Sequence, residues 1–150
     1  KGQLSAALRL TVPDDSNKRQ WLADQLEAFA ESTYLHQVIA RSAEGKLQRY
    51  RDLQVALPHF SESQAQEWRT HFHVPIFVDR YQAFHSTQAD ITAFLQVLKE
   101  NPGCQHLEIE TYTWDVLPPE MKLDMAMSIQ REYEWTLAEL KQAFEGEVLV

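Results

Sequence analysis

The sequence has almost no cysteine. Cys104 stands alone, so the chain can form no internal disulfide and no cysteine metal cluster. It lacks any apolar run long enough to span a membrane, and it opens with no secretory pattern. Together these absences predict a cytoplasmic protein in a reducing compartment. Positive charge is scarce. The formal net charge is -8 and the densest cationic stretch is only Lys46–Arg51, which argues against nucleic acid as a partner. The glycine-rich phosphate loops G-x-G-x-x-G and G-x-x-x-x-G-K, the G-x-S-x-G elbow and H-E-x-x-H are all missing. Dinucleotide, triphosphate, serine-hydrolase and zincin chemistries therefore lack their usual signatures. There is no tandem repeat and no low-complexity tract.

What remains is material for one ordinary domain of 150 residues with a real core. Lys1 stands where a methionine would open a chain, the first strand pattern has no lead-in, and the sequence stops on the apolar Val148–Val150. It reads as a segment of a longer protein.

The periodicities alternate between strand and helix. Gln3–Val12 reads as a strand closed by a Pro13–Ser16 turn. Asn17–Ser32 reads as a helix, with Ser16 as N-cap and an apolar stripe of Trp21, Leu22, Leu26 and Phe29. Tyr34–Ala40 is the next strand, broken by Ser42–Gly45, and Leu47–Leu57 is a short helix ended by Pro58. Ser61–Glu67 is a weaker helical turn. Arg69–Val78 is a strand that must end near Val74 or Pro75, since proline cannot donate to a ladder. Asp79–Phe84 is a linker. Thr87 with Asp90 opens a helix over Gln88–Glu100 in the manner of a capping box, with Ile91, Phe94, Leu95 and Leu98 on one face and Asn101–Pro102–Gly103 as the stop. His106–Thr111 is the last strand. After Pro118 and Pro119, Met121–Phe144 forms a long helix, or two in tandem, with Met125, Ile129, Tyr133, Leu137, Leu140 and Phe144 as its buried stripe. Strand and helix alternating at these spacings predict an α/β fold of parallel (βα) units.

Polar residues sit in each strand where a buried parallel strand would be apolar. They are Gln3 and Ser5 in the first, His36 in the second, His71 and His73 in the third, and Glu108 and Glu110 in the fourth. By alternation Glu108, Glu110 and Tyr112 share a face, and Trp114 follows in the turn. Carboxylates on a mostly apolar strand suit a wet or ligand-binding cavity, or else the solvated face of an edge strand. Glutamate with imidazoles is a donor set for Zn, Mn or Fe, and equally an acid/base pair. Cys104 reads as a small buried hydrophobe rather than a nucleophile.

The segments Tyr34–Arg41, Trp68–Phe77, His106–Pro118 and Arg131–Trp135 resemble the TIM-barrel component of the ebo metabolite-traffic cluster, the EboE-like proteins. That family is similar to the xylose-isomerase-like sugar phosphate isomerases and epimerases. The resemblance implies the C-terminal half of a TIM barrel, about four strands with their helices, since a complete barrel needs about 250 residues. It implies a small-molecule metabolite as ligand and a divalent metal ion (Zn, Mn, Mg or Fe) held by His36, His73 and Glu110. Glu110 and His73 would be the catalytic pair, and Gln3, Ser5, His71, Glu108, Tyr112 and Trp114 the surrounding pocket. Proteins of the same gene cluster would be partners, and exposed half-barrel edges would favour self-association. A non-catalytic binding or scaffold protein on the same barrel is the second reading.

Overall fold

The computed structural model describes residues 1–81, 83–117, 119, 122 and 124–144. Its strands are β1 (Gly2–Leu4), β2 (Ala6–Thr11), β3 (Val38–Ser42), β4 (Leu47–Tyr50), β5 (Ala65–Val74), β6 (Arg80–Tyr81), β7 (Phe84–Ser86) and β8 (Leu107–Ile109). Its helices are α1 (Ser16–Glu27), α2 (Leu53–Ala56, running into a 3-10 turn Leu57–His59), α3 (Gln88–Glu100) and α4 (Met125–Phe144). Pro118, Met121 and Val148–Val150 lie outside the described residues.

The six-stranded sheet has the order β4-β3-β5-β2-β7-β6, and every pair in it is antiparallel. Among the described residues only the short pair β1–β8 is parallel. Both sheets are open, and neither closes into a barrel. This overturns the expected parallel (βα) units and, with them, the half TIM barrel. The reason is local. Parallel neighbours need a long crossover, whereas a hairpin reverses the chain within a few residues. The stretch read as a helix from Leu47 instead pairs back on β3 through a tight turn. There Gly45 N–H donates to Ser42 O at 3.1 Å, and Gly45 takes a φ of 79°, the left-handed geometry that glycine supplies without strain. The stretch read as a linker contains the β6–β7 hairpin. The open edges are thus β4 and β6 rather than those of a half barrel.

Other elements keep their sequence logic. α3 spans the expected Gln88–Glu100, with Ile91, Leu95 and Leu98 buried. Its cap differs: Thr87 makes no capping bond, because its Oγ1 instead accepts from the Ala7 N–H at 2.9 Å. Asp90 pairs with Arg69. α1 is capped by Asp15, whose carboxylate accepts from Lys18 N–H at 2.8 Å, one residue before the expected Ser16. β5 does end at Val74.

One face of the large sheet carries Leu8, Leu10, Val38, Ala40, Trp68, Phe72 and Phe84. They form a single core with Leu22 and Leu26 of α1, Leu53 and Ala56 of α2, and Phe29 and Phe60. Trp68 is fully buried, and its indole N–H donates to Ser63 Oγ at 3.1 Å. Burying such side chains stabilises the fold by about 25 cal/mol per Å² of apolar surface.

α4 reverses its expected orientation. Ile129, Tyr133 and Leu137 are exposed, whereas Ser128, Glu132 and Thr136, one turn apart, face inward. Glu132 explains this. Its Oε1 accepts from Ile76 N–H at 3.2 Å and from Thr111 Oγ1–H at 2.7 Å, satisfying backbone and side-chain donors at the end of β5 and beyond β8. A second bond, Thr92 Oγ1–H to Glu139 Oε2 at 2.8 Å, ties α4 to α3. Among the described residues, apolar packing joins the two helices at one end, where Leu140, Ala143 and Phe144 meet Leu95 and Leu98.

Candidate functional site

The structure gathers part of the expected site around the end of β5. Opposite β2 the β5 strand is irregular: Ala7 pairs with His73 but Leu8 pairs with Thr70, so His71 and Phe72 form a bulge. The bulge leaves His71 exposed and Phe72, His73 and Val74 buried. His73 Nδ1 lies 2.8 Å from the Glu110 carbonyl oxygen. A carbonyl only accepts, so Nδ1 carries the proton and Nε2 offers a lone pair. The His71 Nε2–H donates to that lone pair across 2.7 Å. Burial pushes the His73 imidazole below its ordinary value, and the neighbouring His71 pushes it the same way. Tyr112 packs on the His73 ring at 4.3 Å between centroids.

His36 joins the same neighbourhood from the loop before β3. It is fully buried, its Nδ1 is 3.2 Å from the His71 carbonyl, and its Nε2 is 2.6 Å from Glu31 Oε1. Burial pushes the Glu31 carboxyl up, but hydrogen bonds from Thr33, His36 and Tyr34 outweigh it and hold the group below its ordinary value. One His36 nitrogen thus faces a carbonyl oxygen and the other a carboxylate, both of them acceptors.

The remaining expected residues are elsewhere or play other parts. Glu110 contributes its backbone, accepting from His73 and donating its N–H to Leu4 O at 2.8 Å. Glu108 is exposed and paired with Lys1 at 2.5 Å. Gln3 and Ser5 line a separate shallow hollow of about 140 Å³ with Phe94. Trp114 packs against the main core. Both ring nitrogens of His36 and of His73 are therefore engaged within the protein. Among the described residues no group of three or more His, Cys, Asp or Glu side chains is placed to hold a metal ion.

On the sheet face turned away from α1, His71 borders a groove of about 560 Å³. Its rim is Arg49, Arg51, Arg69 and Gln37, and its floor includes Ala7 and Ile39, with the Val38 backbone between. The register explains the convergence. Arg49 on β4 stands opposite Ile39 on β3, Ile39 opposite Arg69 on β5, and Arg69 opposite Arg9 on β2. Residues paired directly across strands share a face. Arg69 is fixed by Glu67 at 2.9 Å and Asp90 at 2.5 Å. Neither Arg49 nor Arg51 has an acidic partner among the described residues. A second hollow, of about 520 Å³ between α1 and α2, is bordered instead by Asp24 and Glu27. Sequence reasoning noted Lys46–Arg51 but placed it on a helix, and so missed the groove, along with Glu31 as the partner of His36.

No family model, no curated protein and no solved structure matches this chain. The EboE-like, xylose-isomerase-like identity is thus unsupported, and the open sheets contradict the barrel it requires. The isomerase and metabolite-traffic function, and the barrel-based binding alternative, fall with it. No helix among the described residues is long and apolar enough to cross a membrane.

Proposed function

We propose that this chain binds a small anionic molecule in the arginine-bordered groove on the open face of its large sheet. The observation that carries the reading is the meeting of Arg49, Arg51, Arg69, Gln37 and His71 around an apolar floor. Ligand sites are concave and mostly apolar, with a few placed polar groups that orient the ligand. Guanidinium groups suit carboxylate and phosphate because their planar fork matches two oxygens at once. The contrast with the rest of the surface strengthens the case. A chain of net charge -8 repels anions over most of its surface, while this groove holds Arg49 and Arg51, which have no acidic partner among the described residues. His71 stands at the rim with its Nε2–H directed to His73, so the arginines and Gln37 supply the groove's donors.

Inorganic phosphate is a sufficient first probe, read by thermal unfolding. At a phosphate concentration about a hundredfold above the dissociation constant, linkage adds about 2.7 kcal/mol. For a chain of this size that raises the melting temperature by roughly 5–10 °C. The shift should be lost in Arg49→Ala/Arg51→Ala, whose side chains leave the core untouched. An equal shift in the parent and the double variant would sink the assignment.

A further inference from the structure

The groove has two cationic ends and an apolar middle, and that spacing selects a class of ligand. We infer that the preferred ligand is an elongated dianion, with anionic groups at both ends of an apolar body. The inference rests on the anion-binding reading above and sharpens it.

The argument comes from the register. Arg49 and Arg51 lie on or just after the edge strand β4, and Arg69 and His71 lie on β5. Between them runs β3, which offers the Ile39 side chain but no charge to the groove. Neighbouring strands are about 4.8 Å apart, so the backbones that carry the two ends stand roughly 10 Å from each other. A compact anion satisfied by Arg49 and Arg51 leaves the β5 end unused. A ligand with a carboxylate or phosphate at each terminus can reach both, and its apolar middle then covers Ile39, which is otherwise 38% exposed.

The two ends differ in strength. Arg49 and Arg51 lack acidic partners among the described residues, so their end carries two uncompensated charges. At the other end Glu67 holds the Arg69 Nε and Asp90 its Nη1. That leaves the Nη2 hydrogens and the second Nη1 hydrogen as free donors, already fixed in direction, with His71 lining the same groove. Held in place this way, Arg69 loses little freedom on binding, but its two carboxylate neighbours weaken its attraction for an anion. The β4 end is therefore the primary anchor and the β5 end the measuring point for length.

Calorimetric titration with azelate, succinate and nonanoate separates the parts of this inference. Azelate carries two carboxylates at the right span, succinate carries two that are too close, and nonanoate carries one with a matching apolar chain. Azelate should bind at least about tenfold more tightly than either, the increment of one charge-assisted hydrogen-bonded contact. Arg49→Ala/Arg51→Ala should remove the advantage of azelate over nonanoate, while Arg49→Lys/Arg51→Lys retains part of it. Equal affinities for azelate and nonanoate, or for azelate and succinate, would overturn the dianion and leave anion binding standing. Failure of all three acids and of inorganic phosphate would overturn the anion-binding reading itself.

Discussion

Glu132 holds α4 in its reversed orientation, and removing it tests that account at one atom. Glu132→Ala leaves the Ile76 N–H, on a fully buried residue, without its acceptor, and frees the Thr111 hydroxyl. An orphaned buried donor costs about 1–3 kcal/mol. Thr111 is half-buried and loses one net hydrogen bond worth about 1 kcal/mol, so the sum is roughly 2–4 kcal/mol. For this size that lowers the melting temperature by roughly 5–12 °C. Glu132→Gln keeps the accepting oxygen. Its new amide donor sits one turn from Ser128 and Thr136, whose hydroxyls have no partner among the described residues. It should lie within a few degrees of the parent near neutrality. The pH profile gives a second reading. Burial pushes the Glu132 carboxyl up, more than the Thr111 and Ile76 hydrogen bonds pull it down. Between 4.5, the ordinary value, and its raised value the folded state holds a proton that the unfolded state has released. Stability therefore falls as pH rises through that window. Glu132→Gln should abolish that part of the slope, measured by chemical denaturation at several pH values. A Glu132→Ala protein as stable as the parent would refute the role of this carboxylate.

Other outcomes follow from the same contacts. The His73 imidazole is held below its ordinary value of 6.5, chiefly by burial, so below that pH the unfolded chain takes up a proton that the fold resists. Stability should then fall as pH drops from 6.5 toward the depressed value, and denaturation of His73→Gln beside the parent should show a shallower fall. Gly45→Ala places a side chain at a φ of 79° in the β3–β4 turn. No atom lies within 4 Å to obstruct it, so the cost is backbone strain alone, about 1–2 kcal/mol, readable as a lower urea midpoint with an unchanged slope.

The sequence is most legible where one local pattern decides the structure. α3 has a clean apolar period and an Asn101–Pro102–Gly103 stop, and its bounds are as expected. β5 ends before Pro75 because proline lacks the donor. The hairpin of β3 and β4 was hidden because Leu47, Gln48 and Arg49 are all exposed, so no alternation between apolar and polar marks the strand. Missing that hairpin turned an antiparallel sheet into an apparent series of parallel units. In α4 the period was right and the face wrong. Periodicity locates an apolar stripe, but the donors of Ile76 and Thr111, distant in sequence, decide which side turns inward. The histidines show the same division. His71 and His73 are near each other by spacing alone, whereas the His36–Glu31 pair is made by a loop. The row of Arg49, Ile39, Arg69 and Arg9 depends on register across four strands, which no local pattern encodes.

The central claim is that the groove recognises an anion through Arg49 and Arg51. Its most direct measurement is a phosphate titration followed by NMR at the arginine Nε–H resonances. Arg19, held by the carbonyls of Pro13 and Ser63, and Arg131, stacked over Phe77, lie outside the groove and serve as internal references. Saturable shifts at Arg49 and Arg51, with Arg19 and Arg131 unmoved, are the predicted result. Shifts that never saturate, or that are equal at all four arginines, would contradict it.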